Sequence, residues 1–542
     1  MARRPTGAQL GVAAVAGTLL LVWLIGLAWF RPWIAHNDFA IFRIALEREL
    51  DGHVRLVGAH SRLDVFHPGP LREWVFALPY WISGRRAAAL PATALVLNAG
   101  WSIWLVVIAR RFRPGAWGAT CALGLLVLVI ALGADLASPW NPHLAILPMY
   151  LACWSTVSVL SGGSSAWVGA VVGASFAAQL HASALVLGGA LLVTVLVASA
   201  VRGSWASTAG ALVLGVVLWS GPIVDLRNGS DANIIRLATV GADGESVGAG
   251  DAVGHVSRLT WPATPLGRVT VRPGVEELTG FHRWWLLLVV AALAGATWWS
   301  VRRYRSAREE TTSGGDLGDH RDDGDDGELL PWAAGAVAMG VVLISVVTAS
   351  LFVEPAYRYL YGPLQAGAVF VLSVVVGLVA APIQQAAGWI IPGWVVPVAI
   401  PACLAIVFVG VPRLDDASEA RGALEVERAV GAALDARPGW RTIEAIPLDL
   451  RGAGDLDAEV LDIALRNGVD ARSRRSQLGL PAPVAVDGAF AVAMAPALDC
   501  LLSARGVEEI VRGTTESGEH FSVVVVDRES AAYDRCIGAP DG

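Results

Sequence analysis

Residues 8–38 read AQLGVAAVAGTLLLVWLIGLAWFRPWIAHND, an uncharged apolar run that ends in a tight polar cluster. The run from Ala8 to Phe30 follows Arg3 and Arg4. It is longer than the roughly 7–15 residues of a signal-peptide core, and no small-residue cleavage pattern follows it. It therefore reads as a retained transmembrane helix with a cytoplasmic N-terminus, since about 20 apolar residues cross the hydrocarbon core. Comparable runs follow near 88–109, 116–134, 143–160, 165–180, 182–201, 205–225, 283–301, 331–352, 363–381 and 390–411. The expected fold class is an α-helical polytopic membrane protein with about 11 transmembrane helices.

Composition agrees with that class. Hydrophobic residues make up 55% of the 542 and charged residues 16%, against about 25% charged in soluble domains. The net charge of -7 argues against a nucleic-acid partner. All 40 basic residues are arginine, which removes P-loop lysine and Schiff-base chemistry and fits a high-GC, actinobacteria-like source.

Arginine in short loops sets orientation, because cytoplasmic loops retain Lys and Arg. Arg110, Arg111 and Arg113, then Arg202, then Arg302, Arg303, Arg305 and Arg308 fall inside in one consistent topology. Arg85 and Arg86 fall outside. The apolar segment Leu71 to Ser83 before them reads as a partly embedded juxtamembrane helix, because counting it as a span would turn the Arg110 to Arg113 cluster outward. The expected division is a transmembrane domain, 1–412, and a C-terminal extracytoplasmic α/β domain, 413–542, in the plasma membrane. The first part carries an outer loop 31–86 with juxtamembrane helices, an outer loop 227–282 and a cytoplasmic acidic loop 302–330 that includes the acidic run 319–326.

Within loop 31–86, Phe39, Phe42, Leu46 and Leu50 recur at helical spacing beside Arg43, Glu47, Arg48 and Asp51, which predicts an amphipathic helix lying in the interface. In the C-terminal domain, Ala417 to Leu434 and Asp455 to Arg466 read as helices and Phe521 to Val526 as a buried strand. Cys500 and Cys536 fall in an oxidising compartment where they can pair. Cys121, Cys153 and Cys403 stand alone in spans and read as packing residues.

The polar clusters gather on the outer side: His36-Asn37-Asp38, His67-Pro68-Gly69-Pro70, Trp140-Asn141-Pro142-His143, His181, and Glu354 with Tyr357 and Arg358. An enzyme that meets its substrates at the outer membrane face needs such sidedness. Asp38 admits two compatible readings, a cap for the helix that follows and a general base acting on a hydroxyl. The two prolines around Gly69 fix His67 on a rigid turn before a helix. Arg72, one turn inside, is costly against lipid and is expected to face a polar cavity or headgroups. His181 in an apolar stretch is a functional candidate on the same ground. Glu354 and Arg358 are one turn apart and can pair; Arg358 as an anion ligand is the functional alternative.

An acidic residue just past the first helix, a His-Pro turn leading into an embedded helix, and many spans before an outer domain resemble the GT-C superfamily of membrane glycosyltransferases. The likeness is to relatives of protein O-mannosyltransferases and aminoarabinose transferases, and covers roughly Ala8 to Pro412. It implies inverting transfer of a sugar from a polyprenyl-phosphate donor to an envelope glycan, lipid or protein acceptor in contact with the bilayer. Asp38 matches the family's loop-one catalytic acid, and His67-Pro68-Gly69-Pro70 resembles its His-Pro-Pro turn. From these clusters and the likeness together, His36, Asn37, His67, Arg72, Trp140, Asn141, His143, His181, Glu354, Tyr357 and Arg358 are the substrate-binding candidates. Many members carry two adjacent acids where this chain has Asn37-Asp38, so a divalent metal is left open as cofactor. The competing class is a transporter or flippase of lipid-linked glycans, which requires midplane charges or an inverted repeat; neither is evident.

Overall fold

The computed structural model describes residues 38–61, 65–112, 115–163, 165–239, 246–262, 281–313, 326–353, 357–387, 419–448, 456–466, 469–472, 488–494, 507–514 and 520–527, with isolated positions between 22 and 35. The chain separates into two compact units. The first comprises Met1–Trp29, Arg55–Trp74 and Pro91–Leu414; the second comprises Phe30–Val54, Val75–Leu90 and Asp415–Gly542.

Among the described residues of the first unit, 7 helices are long and apolar enough to cross a membrane: Ala89–Ala109, Gly115–Ala137, Asn141–Leu160, Ala182–Val201, Arg283–Arg302, Leu329–Ser350 and Arg358–Gln384. The expected span 205–225 is a pair of helices bent by 66°, Trp205–Leu218 and Ser220–Asp231, and the expected span 165–180 is the shorter Trp167–Leu180. The expected spans 8–30 and 390–411 lie largely or wholly outside the described residues, as do Cys403, Cys500, Cys536 and positions 319–325. Cys121 and Cys153 are buried free thiols in the bundle.

Asn141–Leu160 occupies the middle of this unit, buried along nearly its whole length, whereas Ala182–Val201 and Arg283–Arg302 leave most of their apolar surface uncovered. In lipid, helices gain little from hiding Leu or Val from each other, so close approach depends on small residues. Gly169 and Gly173, one turn apart, provide it: a Cβ at Gly173 would lie 2.5 Å from the Pro148 carbonyl oxygen, and one at Gly169 2.5 Å from Ser155 Oγ. Trp167–Leu180 can thereby lie flat on the central helix.

The second unit contains α1 (Asp38–Leu50), most of α2 (Leu71–Ile82), and, after position 415, helices α3 (Glu419–Asp435) and α4 (Leu456–Arg466) with strands β1 (Thr442–Leu448), β2 (Asp470–Arg472), β3 (Gly488–Met494), β4 (Val507–Thr514) and β5 (His520–Asp527). The sheet order is β2-β1-β3-β5-β4. β1 runs parallel to β2 and β3, while β5 runs antiparallel to β3 and β4. Val523 to Val526 are buried on both faces, which accounts for the unbroken run of valines in a strand held between two neighbours. The expected helices and strand of the C-terminal domain coincide with α3, α4 and β5.

The placement of α1 differs from the sequence expectation. It does not lie flat on a bilayer surface. Ala40 and Ile44 join Val426, Val430, Leu461, Phe490, Val523 and Val525 in one hydrophobic core, and Phe42 packs edge-on against Phe76 of α2 at 5.2 Å. Arg43 and Glu47, which the helical pattern assigned to a solvated face, are buried as well. The outer-loop helix is thus an integral helix of the C-terminal α/β domain. Residues 30–54 and 75–90 of the expected outer loop thus cluster with residues 415–542 in one unit, whereas 55–74 belong to the other.

α2 has a divided surface. Phe76 and Tyr80 are buried, whereas Leu78, Trp81 and Ile82 are 59%, 60% and 68% exposed, an apolar edge suited to the partly embedded position expected for it. After α2 the chain turns through Gly84 and Arg85, both at positive φ (72° and 63°). Arg85 is held in that uncommon conformation by contacts from its side chain to Glu47 at 2.5 Å and Asp51 at 3.3 Å. An arginine that the loop-charge rule places on the wrong side therefore has a local function as counter-ion.

Candidate functional site

Four sequence-distant motifs converge in the first unit. The strand-like pairing of His60 with Phe66 brings the chain to His67, whose N–H donates to the Ala59 carbonyl at 2.7 Å and whose carbonyl accepts from Gly58 at 3.0 Å. Asn233 locks this segment from the second loop. Its Nδ2 donates to the carbonyls of Phe66 (2.9 Å) and His67 (3.3 Å), and its Oδ1 accepts from the Phe66 N–H (2.8 Å). Asp225 in turn accepts from the Asn233 N–H at 2.7 Å. Gly69 then passes so close to Gln179 that a Cβ would stand 2.0 Å from the amide oxygen, and its N–H donates to the Gln179 carbonyl at 3.3 Å. Only glycine lets the His-Pro-Gly-Pro turn lie against the end of helix Trp167–Leu180.

At that end the helix stops at His181, in extended conformation. The His67 and His181 rings face each other at 4.9 Å, tilted by 31°. His67 Nδ1 accepts the Ala182 N–H at 3.1 Å. His181 Nδ1 accepts the Ser183 N–H at 3.4 Å and lies 2.6 Å from Ser183 Oγ. When neutral, each ring therefore carries its proton on Nε2. Burial, and after it the neighbouring His181, Arg72 and His60, push the His67 pKa well below the usual histidine value, so this ring is uncharged at neutral pH.

An aromatic wall continues from the histidines. Tyr359 meets His181 edge-on at 6.3 Å and Trp140 at 5.4 Å; Tyr357 stacks on Tyr359 at 5.9 Å; Trp140 meets His143 edge-on at 4.9 Å. Asn141 fixes the short helix that carries Trp140 and His143 by donating to the Leu180 carbonyl at 3.0 Å. His143 is buried, and among the described residues neither of its ring nitrogens has a hydrogen-bond partner; Asp135 Oδ1 stands 3.9 Å away. Arg72, also buried, pairs with Glu73 at 2.9 Å, and Glu73 Oε2 is buried with no partner among the described residues.

His67, Trp140, Asn141, His143, His181, Tyr357 and Arg72 thus belong to one unit; His67 meets His181 and Trp140 meets His143 directly, while Tyr359 links Tyr357, Trp140 and His181. Arg358 opens the 3-10 turn that carries Tyr359. Asp38 is an exposed residue in the first turn of α1 and belongs to the second unit. His36, Asn37 and Glu354 lie outside the described residues, so the expected pairing of Glu354 with Arg358 does too. Tyr359, Glu73, Asp135, Asp225 and Asn233 were not legible beforehand. Tyr359 stands two residues from Tyr357 and Glu73 beside Arg72, which are faint signals; Asn233 sits in a loop with none.

Chemically, the wall brings aromatic rings together with the Nε2–H groups of His67 and His181, which can donate hydrogen bonds. No group of three or more His, Cys, Asp or Glu among the described residues is arranged to hold a metal ion.

No protein-family model matches the sequence, and no curated protein does. Among solved structures, the chain is similar to that of ArnT from Cupriavidus metallidurans in the apo state, with a TM-score of 0.52 and 12% sequence identity over 96% of this chain and 98% of that one. The likeness extends over both units and shows a shared fold.

Proposed function

We propose that this protein is a membrane glycosyltransferase of the GT-C type that moves a sugar from a polyprenyl-phosphate donor to a hydroxyl of an envelope glycan, lipid or protein. The observation that carries this reading is the end-to-end fold likeness to ArnT, an aminoarabinose transferase. The lining of the site supports it, because four separate motifs supply an aromatic and histidine wall of the kind that holds carbohydrate.

In this reading the donor's lipid tail lies along the apolar helices and its phosphate meets Arg358 and Arg72, whose guanidinium groups bind phosphate in two-point fashion. Trp140, Tyr357 and Tyr359 stack on the sugar, and the Nε2–H groups of His67 and His181 donate to its hydroxyls. Asp38 takes the proton of the acceptor hydroxyl as that oxygen attacks the anomeric carbon. The bond to phosphate breaks on the opposite face, the configuration inverts, and the leaving phosphate keeps the bonding electrons. The extracytoplasmic face of the plasma membrane is the proposed location.

The test is Asp38→Asn, which preserves size and capping ability. Transfer of labelled sugar from a polyprenyl-phosphate donor by purified protein in lipid nanodiscs should fall by roughly 10² or more, with unchanged insertion. Near wild-type transfer would remove Asp38 as base.

A further inference from the structure

We infer that the C-terminal domain aims the proposed base: Arg43 and Asp462 are positioning residues that fix the rotation of the helix bearing Asp38. This rests on the reading of Asp38 given above.

The apolar contacts of α1 with the domain include Ala40 and Ile44 in the core and Ile41 packed against it, contacts that are individually non-directional. Directional bonds set the rotation of α1. The Arg43 guanidinium, 4% exposed, reaches three partners: Nε donates to Tyr80 Oη at 2.7 Å, Nη1 to Asp462 Oδ2 at 3.2 Å, and Nη2 to the Arg85 carbonyl at 3.2 Å. Tyr80 Oη donates a hydrogen bond to Glu47 Oε1 at 2.6 Å, one turn further along α1, and Glu47 Oε2 accepts one from Arg85. Arg43 and Glu47 thus hold α1 to α2, and Arg43 also ties it to α4 through an aspartate that is 1% exposed. A buried ion pair adds little net stability over apolar groups of the same size. Its geometry, however, selects one orientation, and Asp38 lies little more than one turn from Arg43 on the same helix. Misplacement of a catalytic group by about 1 Å can cost on the order of 10²-fold in rate.

Asp462→Asn keeps the shape of the contact and loses its charge. With the full chain in nanodiscs, kcat for transfer should fall about 10-fold or more while KM for the donor stays within about two-fold. In an Asp38→Asn background the same substitution should cost less than about two-fold further, because a residue acting through Asp38 has nothing left to aim. The paired replacement Arg43→Met with Asp462→Leu leaves no orphaned charge; it should fold and still lose kcat, which keeps the test informative if Asp462→Asn is unstable. Glu508→Gln, which breaks the exposed pair with Arg437 in the same domain, should leave kcat unchanged. Full kcat in folded Asp462→Asn alongside a dead Asp38→Asn overturns this inference alone. A loss that multiplies in the Asp38→Asn background, a rise in donor KM instead of a fall in kcat, or an equal loss in Glu508→Gln also overturns it. Near wild-type transfer by Asp38→Asn removes the base assignment first.

Discussion

The two units bury polar groups in different ways. Around Arg43 the network is ionic and densely bonded: Arg43, Tyr80, Glu47 and Arg85 are linked across α1, α2 and the turn that follows it, and Asp462 Oδ2 extends the chain of contacts to α4, each within 3.2 Å. Around His67 and His181 the groups are largely uncharged and the arrangement is open, with both nitrogens of His143 and one oxygen of Glu73 buried without partners among the described residues. Buried polar atoms in folded proteins are nearly always satisfied. A bonded ionic network holds one geometry, whereas the unpartnered groups of His143 and Glu73 leave hydrogen-bonding capacity for water or another polar group.

This contrast can be broken at either end. The largest effect is expected for Arg43→Ala, which strands Asp462 in the interior; a loss of about 3–5 kcal/mol should appear as failure of the second unit to fold, read by protease sensitivity of residues 415–542. On the open side, Asn233→Ala removes three hydrogen bonds that pin residues 66 and 67. It should cost about 1–3 kcal/mol and weaken donor binding while the bundle remains intact; unchanged donor affinity would show that Asn233 has no part in shaping the site.

The His67 pKa gives a pH signature. Its native pKa is depressed, so below about 6.5 the unfolded chain takes up a proton that the native state does not. Stability should then fall as pH drops through and below that value, and His67→Asn, which retains an acceptor for the Ala182 N–H, should flatten that part of the melting-temperature profile. An unchanged acid slope would mean that His67 is protonated in place. The smallest effect is expected for Arg85→Ala: its side chain is 45% exposed, so the pair with Glu47 is screened and its removal should cost under about 1 kcal/mol. A loss as large as that of Arg43→Ala would show that the joint is not centred on Arg43.

The spans were legible because hydropathy along the chain is a local property, and seven described helices stand where apolar runs predict them. The bend of 66° after Leu218 was not, since the run through 225 is apolar enough to read as one piece. His67, Trp140, Asn141, His143, His181 and Tyr357 could be chosen singly, as polar or aromatic groups beside Pro or within apolar stretches. Their common wall could not, because it depends on contacts such as His67 with His181 that no periodicity encodes. α1 misled for a related reason. Its arginine and glutamate looked like a solvated face, and the aspartate that neutralises Arg43 stands 419 positions away.

That separation sets a schedule for biogenesis. At roughly 5–20 residues per second, Arg43 emerges on the order of 20–80 seconds before Asp462 is made. Throughout that interval Ala40 and Ile44 lack the residues after 415 that later cover them, and the helix completes its packing only when that final segment arrives. A chain cut short anywhere in the bundle leaves this helix with apolar surface and an unneutralised arginine exposed together, a feature that chaperones and proteases recognise. The joint between α1 and α4 can therefore close only in a chain made through Asp462.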